Sequence, residues 1–332
     1  MHERTGPPHK HSESIMRILV LGAGAVGGYF GGRLIEGGGA EEVAFLVRPG
    51  RKAKLERDGL VIESPQGAFR SKVRAVLPDE AGTDWDIALV SCKAYDLDDA
   101  IASLRPAVGP RTGIVPLLNG MTHIETLQSA FGKERILGGL ARIFAALSPE
   151  GVVKHHGGHA SVAFGELDGT MSDRVRALAA AFEKAPAAEG EASTNIRQLM
   201  WDKLVLLHTV AAASVLMRAN VGEIASAPGG MAWMNRLLDR NAAIAAAEGF
   251  AVRPEVLEKQ IRPMFNNPKA KNQASMLHDL EAGGRIEADH ILGFMLEAAR
   301  RAGVDDTLHE TAYIHAKAFE NRRDAGRLPG RA

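Results

Sequence analysis

The sequence predicts an α/β protein in which a doubly wound parallel sheet is followed by an all-helical domain. Three observations predict it. From residue 17 to about 140, short apolar runs alternate with helix-length segments, the pattern of parallel strands joined by crossover helices. Beyond about Asn195 the strand signals stop and the long segments carry helical periodicity. The chain has 332 residues and 45% hydrophobic content, enough to bury a full core and to form two domains on a prior of roughly 150 residues each.

The elements follow in order. A polar leader, 1–15, contains His2, His9 and His11; three histidines could bind a metal, but an unstructured leader is the simpler reading. The run at 17–21, RILVL, has the length and composition of a fully buried strand. Glycines 22, 24 and 27 open a helix to about Glu36, and after the loop at 37–39 a second strand runs over 42–47. Strands at 86–91, 113–118 and 135–140 alternate with helices at 96–104 and 122–131. Hairpins near 60–76, broken at Pro65-Gln66-Gly67, and around 152–164 are expected to extend the sheet in antiparallel fashion. Helices follow at 196–219, 229–248, 254–265, 287–302 and 306–321, with Gly249 and Gly303 as stop signals. The expected division is therefore a leader to 15, a nucleotide-binding domain over 16–194, a helical substrate domain over 195–324 and a tail over 325–332.

Charge and cysteine content narrow the function. Forty basic and forty acidic residues leave no net charge, which argues against a broad basic surface for nucleic acid. The single cysteine, Cys92, excludes an intrachain disulfide and a cysteine-based zinc cluster, and fits a reducing cytoplasm. Neither a signal peptide nor a membrane anchor is legible at the start, and the apolar stretch 204–217, interrupted by His208 and Thr209, is short of the ~20 residues a span requires. The histidines of 155–159 lack an acidic or cysteine partner at ligand spacing, so no metal site is expected.

The segment Gly22-Ala23-Gly24-Ala25-Val26-Gly27 is a dinucleotide fingerprint in its required setting, with a strand before and a helix after, and it marks the first domain as Rossmann-type. Gly22 permits the tight turn, Gly24 lets the backbone approach a pyrophosphate, and Gly27 lets the helix sit close to the sheet. The pyrophosphate would rest on the helix N-terminus, where free N–H groups and the dipole favour an anion. Cofactor choice is read at the end of the second strand, where an acid would hold a ribose 2′-OH. Here Arg48 stands, followed by Arg51 and Lys52, so NADPH (NADP) is the expected cofactor. Lys93, beyond another strand end, would reinforce Arg48 at the phosphate; a plain solvated charge is the alternative for Arg48.

Two residues suggest the chemistry. Asn119 follows a strand end, and its amide offers both donor and acceptor, suited to bridging nicotinamide and substrate, although a turn residue before Gly120 would look the same. Lys203 lies in a helix apolar on nearly every side, where burial would lower its pKa toward that of a general acid for carbonyl reduction. A lysine snorkelling at the helix edge beside Asp202 is the competing reading. Asp279 and Asp289 flank the proposed site and read by default as helix-capping residues, with orienting the site's side chains as the alternative.

Taken together, these residues resemble the ketopantoate reductases (2-dehydropantoate 2-reductases), NADPH-dependent enzymes of pantothenate biosynthesis. The likeness spans roughly 16–321 and rests on GAGAVGG, Arg48-Pro49, Ser91-Cys92-Lys93-Ala94, Leu118-Asn119-Gly120-Met121, Trp201-Asp202-Lys203-Leu204, Val221-Gly222-Glu223-Ile224, and Ser275-Met276-Leu277-His278-Asp279 with Glu287 twelve residues after Ser275. The resemblance implies that Arg48 and Lys93 contact the 2′-phosphate, that Lys203 is the general acid, and that Asn119 lies near both nicotinamide and substrate. It also implies that Ser275 holds the substrate carboxylate and that Glu287 completes the polar site, in substrate binding, in cofactor binding or in holding the lysine.

One departure bears on substrate. The better-studied members carry asparagines four and eight residues after the catalytic lysine, where this chain has Leu207 and Ala211. On a helical stripe with Lys203, the next polar side chain is Ser214, a candidate substrate contact. A more apolar 2-oxo or 3-hydroxy acid is thus an alternative to ketopantoate, and a non-catalytic NADP-sensing protein is the alternative of another class. The helical domain could supply the surface of a homodimer, although the sequence does not specify an oligomeric state.

Overall fold

The computed structural model describes residues 16–328; the expected leader and the last four residues of the expected tail lie outside the described residues. Five short strands form a parallel sheet: β1 (Arg17–Leu21), β2 (Glu42–Leu46), β5 (Arg74–Val76), β6 (Ile87–Val90) and β7 (Gly113–Pro116), in the order β5-β2-β1-β6-β7. After the charged first residues Arg17, Glu42 and Arg74 they are apolar, because both faces are covered; Ile18, Leu19, Val20, Ile87 and Ala88 have no exposed surface. The helices that cover them are α1 (Ala25–Gly37), α2 (Pro49–Asp58), α3 (Leu97–Leu104) and α4 (Thr122–Phe131). With β2 on one side of β1 and β6 on the other, the chain reverses its winding at β1, the point where open α/β sheets hold ligands beyond the strands' C-terminal ends.

The expected hairpins are only half right. Residues 60–71 do form one, β3 (Leu60–Glu63) against β4 (Phe69–Ser71), but it does not extend the main sheet. It builds a separate sheet with β10 (Val153–His155) and β9 (Ala145–Leu147), and β5 alone returns to pair in parallel with β2. The second hairpin does not form: β10 pairs with β9, whereas β11 (Ser161–Glu166) pairs with β8 (Leu137–Arg142). The polar turn His155 to Gly158 separates strands that belong to different sheets, a choice set by long-range pairing and invisible in alternation alone. Ile136, next to β8, bridges Ile114 of β7, joining the main sheet to the β8-β11-β12 layer, where β12 is Glu189–Ala192. The sequence reading also passes over α2, β12 and α5 (Asp173–Glu183), the last capped by the Ser172 hydroxyl accepting from the Val175 N–H.

From Ile196 onward every regular element among the described residues is helical: α6 (Ile196–Met217), α7 (Val221–Ser226), α8 (Gly230–Ala247), α9 (Pro254–Val256), α10 (Arg262–Phe265), α11 (Ser275–Glu281), α12 (Phe294–Ala302) and α13 (Thr307–Asp324). Helix α6 is the axis of this domain, buried against α8, α11 and α13 on one side and against β8 and β11 on the other. It is long and apolar enough to cross a membrane, yet 61% of its most apolar window is buried inside the fold, which makes it a core helix. Wide π turns precede α10 and α12; the second, Asp289–Gly293, lies just after Glu287. Within the core, Asn241 donates to Thr209 and accepts from the ring of His309, which stacks on His208 with centroids 5.0 Å apart.

Candidate active site

The glycine loop occupies the switch point. Gly22 has φ +92°, a left-handed conformation that a side chain would strain, and its N–H bonds the Leu46 carbonyl. Gly27 is packed so closely that a Cβ there would lie 2.2 Å from the Gly22 carbonyl oxygen and 2.2 Å from Ser91 Oγ. Ser91, at the end of β6, holds the turn by donating to the Leu21 carbonyl at 3.0 Å. Above Gly24, by contrast, a Cβ would meet nothing within 4 Å. No side chain caps α1, so Gly24, Ala25 and Val26 present a helix N-terminus to open space, with Ala23 buried beneath. The loop fits a dinucleotide pyrophosphate.

The reacting groups converge from both domains. Asn119 stands in the loop after β7, and its Oδ1 accepts from Lys203 Nζ at 3.1 Å. The turn is pressed against the helical domain: Gly120 has φ +87°, and a Cβ on it would lie 2.5 Å from the His290 carbonyl oxygen. Lys203 lies two turns into α6, half-buried, and its pKa is lowered to about 8. Burial is the main cause; the Arg142 cation lowers it further and the Glu287 carboxylate opposes both. Lys203 is therefore a desolvated amine facing Asn119. It makes no ion pair with Asp202, which instead accepts from Gln198 at 2.8 Å.

Glu287 is only 4% exposed. One carboxylate oxygen accepts from the Ala94 N–H at 3.1 Å and the other from Lys93 Nζ at 3.4 Å, so it links the end of β6 to the helical domain. Lys93 donates a shorter bond to Asp279, 2.8 Å. Desolvation works against its charge, but Glu287 and Asp279 outweigh it and raise its pKa. Lys93 is thus engaged by two carboxylates of the helical domain, and Asp279, expected as a helix cap, is its principal partner. Asp289 does not belong here; it bonds Tyr313 and Lys317. Arg48 is 72% exposed and pairs with Asp96 at 3.4 Å and Asp99 at 3.7 Å.

Ser275 is the exposed first residue of α11, whose hydroxyl has no protein hydrogen bond among the described residues. Ser214 is corrected. Its side chain has no exposed surface, its hydroxyl donates to the Val210 carbonyl, and it accepts from the Ala274 N–H at 3.4 Å, so it braces α11 against α6 and touches no open space. Leu207 packs partly against the helical core and Ala211 is fully buried within it, so neither brings a polar group to the helix beside Lys203.

The sequence reading missed two residues here. His123, in the first turn of α4, has no exposed surface and no bond at either ring nitrogen; burial, with His290 and Lys203 contributing, lowers its pKa to about 3. Its place four residues after Asn119 was the available signal. Arg142 had none, because its proximity to Lys203 depends on how β8 lies against α6. Among the described residues no group of His, Cys, Asp and Glu could hold a metal ion.

Residues 18–169 match the family described as Ketopantoate reductase PanE/ApbA, and residues 195–320 match its C-terminal counterpart. The chain belongs to the ketopantoate reductase family. It is 34% identical over 305 residues to the Bacillus subtilis protein named Uncharacterized oxidoreductase YkpB, covering 92% of this chain and 99% of that one. The crystal structure of 2-dehydropantoate 2-reductase from Methylococcus capsulatus superimposes with TM-score 0.81 at 30% identity, over 93% of this chain and 98% of that one. D-mandelate dehydrogenase in its ternary structure with NADH and anilino(oxo)acetate shares the fold, with TM-score 0.81 at 22% identity, over 93% of this chain and 99% of that one. Membership of the ketopantoate reductase family makes the chain an oxidoreductase of the CH–OH type, acting on a small 2-oxo acid or its hydroxy product.

Proposed function

We propose that this chain reduces a 2-oxo acid to the 2-hydroxy acid with NADPH, and that 2-dehydropantoate is the leading substrate. The observation that carries the reading is the Lys203 amine, lowered to about 8 and bonded to Asn119 at the C-terminal edge of the sheet. The loop Gly22 to Gly27 would hold the pyrophosphate, Arg48 would meet the 2′-phosphate, and Lys93 would join it by sharing its ammonium with Asp279 and Glu287. When bound, the reduced nicotinamide supplies the hydride that adds to C2 of the acid. Lys203 supplies the proton. With a pKa of about 8 the ammonium predominates at neutral pH, yet it gives up its proton to the C2 oxygen far more readily than an ordinary lysine at 10.5. Asn119 accepts from Nζ and so aims the amine, leaving its own amide N–H for the substrate or the carboxamide. The Glu287 charge keeps Lys203 protonated between turnovers, and the unpartnered Ser275 hydroxyl would receive the carboxylate. A cytoplasmic homodimer belongs to the same reading.

The test is NADPH oxidation followed across a series of 2-oxo acids, with Lys203→Ala as control. Consumption that requires both a 2-oxo acid and Lys203 supports the reading; no consumption with any member of the series overturns it and favours a nucleotide-sensing role. A second reading rests on Leu207 and Ala211, which put no hydrogen-bonding side chain where the better-studied members carry asparagines: that suits a substrate without the hydroxyl of ketopantoate, and D-mandelate dehydrogenase, which shares the fold, is described with anilino(oxo)acetate. Higher kcat/KM for plain or aryl 2-oxo acids than for ketopantoate would select it.

A further inference from the structure

The cations around the nucleotide loop differ in one respect. Arg48 pairs with Asp96 at 3.4 Å, Lys52 with Glu56 at 2.6 Å, Lys54 with Asp58 at 3.5 Å and Lys93 with Asp279 at 2.8 Å. Arg51, partly buried in the first turn of α2, has no carboxylate within ion-pairing distance among the described residues. Its Nε donates to the Ala23 carbonyl, inside the glycine loop, at 3.0 Å, and its Nη1 donates to the Gly151 carbonyl at 3.0 Å. Its Nη2 is buried with no acceptor among the described residues.

A desolvated guanidinium without a counter-ion is an unfavourable arrangement that an incoming anion would relieve. Burial lowers the Arg51 pKa, with no acidic neighbour opposing it. The glycine loop that Arg51 braces is open above Gly24, and the chain is open at Gly50, the residue before Arg51: a Cβ on either would meet nothing within 4 Å. Position decides which anion. Arg51 follows the C-terminal end of β2, where this fold reads the adenosine ribose, and it holds the first variable residue of the glycine loop. Its bond to Ala23 also occupies a loop carbonyl, the negative end of a peptide dipole, with a cationic donor.

We propose that Arg51 is a positioning and specificity residue for the 2′-phosphate of the adenine ribose, supplying uncompensated positive charge there while fixing the glycine loop through Ala23. This rests on the NADPH reading above, and binding measurements separate the two. Adenosine 2′,5′-bisphosphate and adenosine 5′-monophosphate are titrated calorimetrically into the full chain and its variants, without substrate. The wild type binds the bisphosphate more tightly. Arg51→Gln weakens the bisphosphate about tenfold or more and the monophosphate by less than about threefold, the size of a lost charge-assisted contact. Arg51→Lys, which keeps the charge without the planar fork, restores part of the difference, and Arg48→Gln loses less than Arg51→Gln because Asp96 and Asp99 already share that cation. Equal losses for both nucleotides, or none, overturn the role of Arg51 while leaving the NADPH reading intact. A wild type with no preference for the bisphosphate overturns the NADPH reading itself, before any variant is made.

Discussion

Replacing Lys203 with methionine should make the protein more stable and nearly inactive. Burial holds the Lys203 amine at about 8 against 10.5 for a free lysine. That difference corresponds to about 3 kcal/mol of folding free energy lost by keeping the group charged inside the fold at neutral pH. The sign follows from proton counts. Below pH 8 the amine is protonated folded and unfolded, and the full cost is present; between pH 8 and 10.5 the folded state binds fewer protons than the unfolded state, so the cost shrinks as pH rises and is gone above 10.5. Methionine keeps the side chain's length and removes the charge, but strips Asn119 Oδ1 of its 3.1 Å donor, which gives back about 1 kcal/mol. The net gain is about 2 kcal/mol at pH 7, read as a higher urea midpoint, and the gap between variant and wild type narrows at pH 9.5. Turnover should fall by about 10²- to 10⁴-fold, the usual worth of a positioned general acid. A variant less stable than wild type at pH 7, or a gap that widens with pH, would refute the claim that this amine is held charged against desolvation.

Three further outcomes follow from the same geometry. Gly24→Ala should fold normally yet lose nucleotide affinity, because its methyl enters open space, whereas Gly27→Ala meets two atoms at 2.2 Å and should cost about 1–3 kcal/mol by overpacking; thermal unfolding and nucleotide titration run side by side distinguish them. Glu287→Gln removes the charge that raises the Lys203 pKa, so the alkaline limb of the kcat profile should move to lower pH, and an unmoved limb counts against their coupling. Stability should decline as pH falls below 6.5, because His309, lowered to about 4, and His208, held by burial well below the ordinary imidazole value, stay neutral in the fold but charge in the unfolded chain; at pH 5 His309 alone accounts for roughly 2 kcal/mol, and His309→Phe should flatten that slope in urea titrations.

Much of this was legible in the residues. Continuous apolar runs located β1, β2, β6 and β7 to within a residue or two, since the middle of a strand buried on both faces seldom tolerates a polar side chain. The glycine loop was legible because few residues other than glycine satisfy the +92° turn at Gly22 or the contact at Gly27. Lys203 stood out because an apolar helix seldom carries a cation without use for it. Helical periodicity, however, put Ser214 on the same stripe and could not tell that its hydroxyl is consumed by Val210 and Ala274. Nor could strand alternation tell that β10 and β11 belong to different sheets.

What the sequence determined by itself is whatever depends on local backbone freedom and on which residues can be buried: the element types, the loop that can receive a phosphate, and the candidate acid. Tertiary structure alone decided the electrostatic partnerships, because charge interactions act over a few ångströms of space regardless of separation in the chain. Lys93 reads as a phosphate ligand until Asp279, 186 residues away, is found on its ammonium. Arg51 reads as one of several basic residues until its neighbours prove to be paired and it does not.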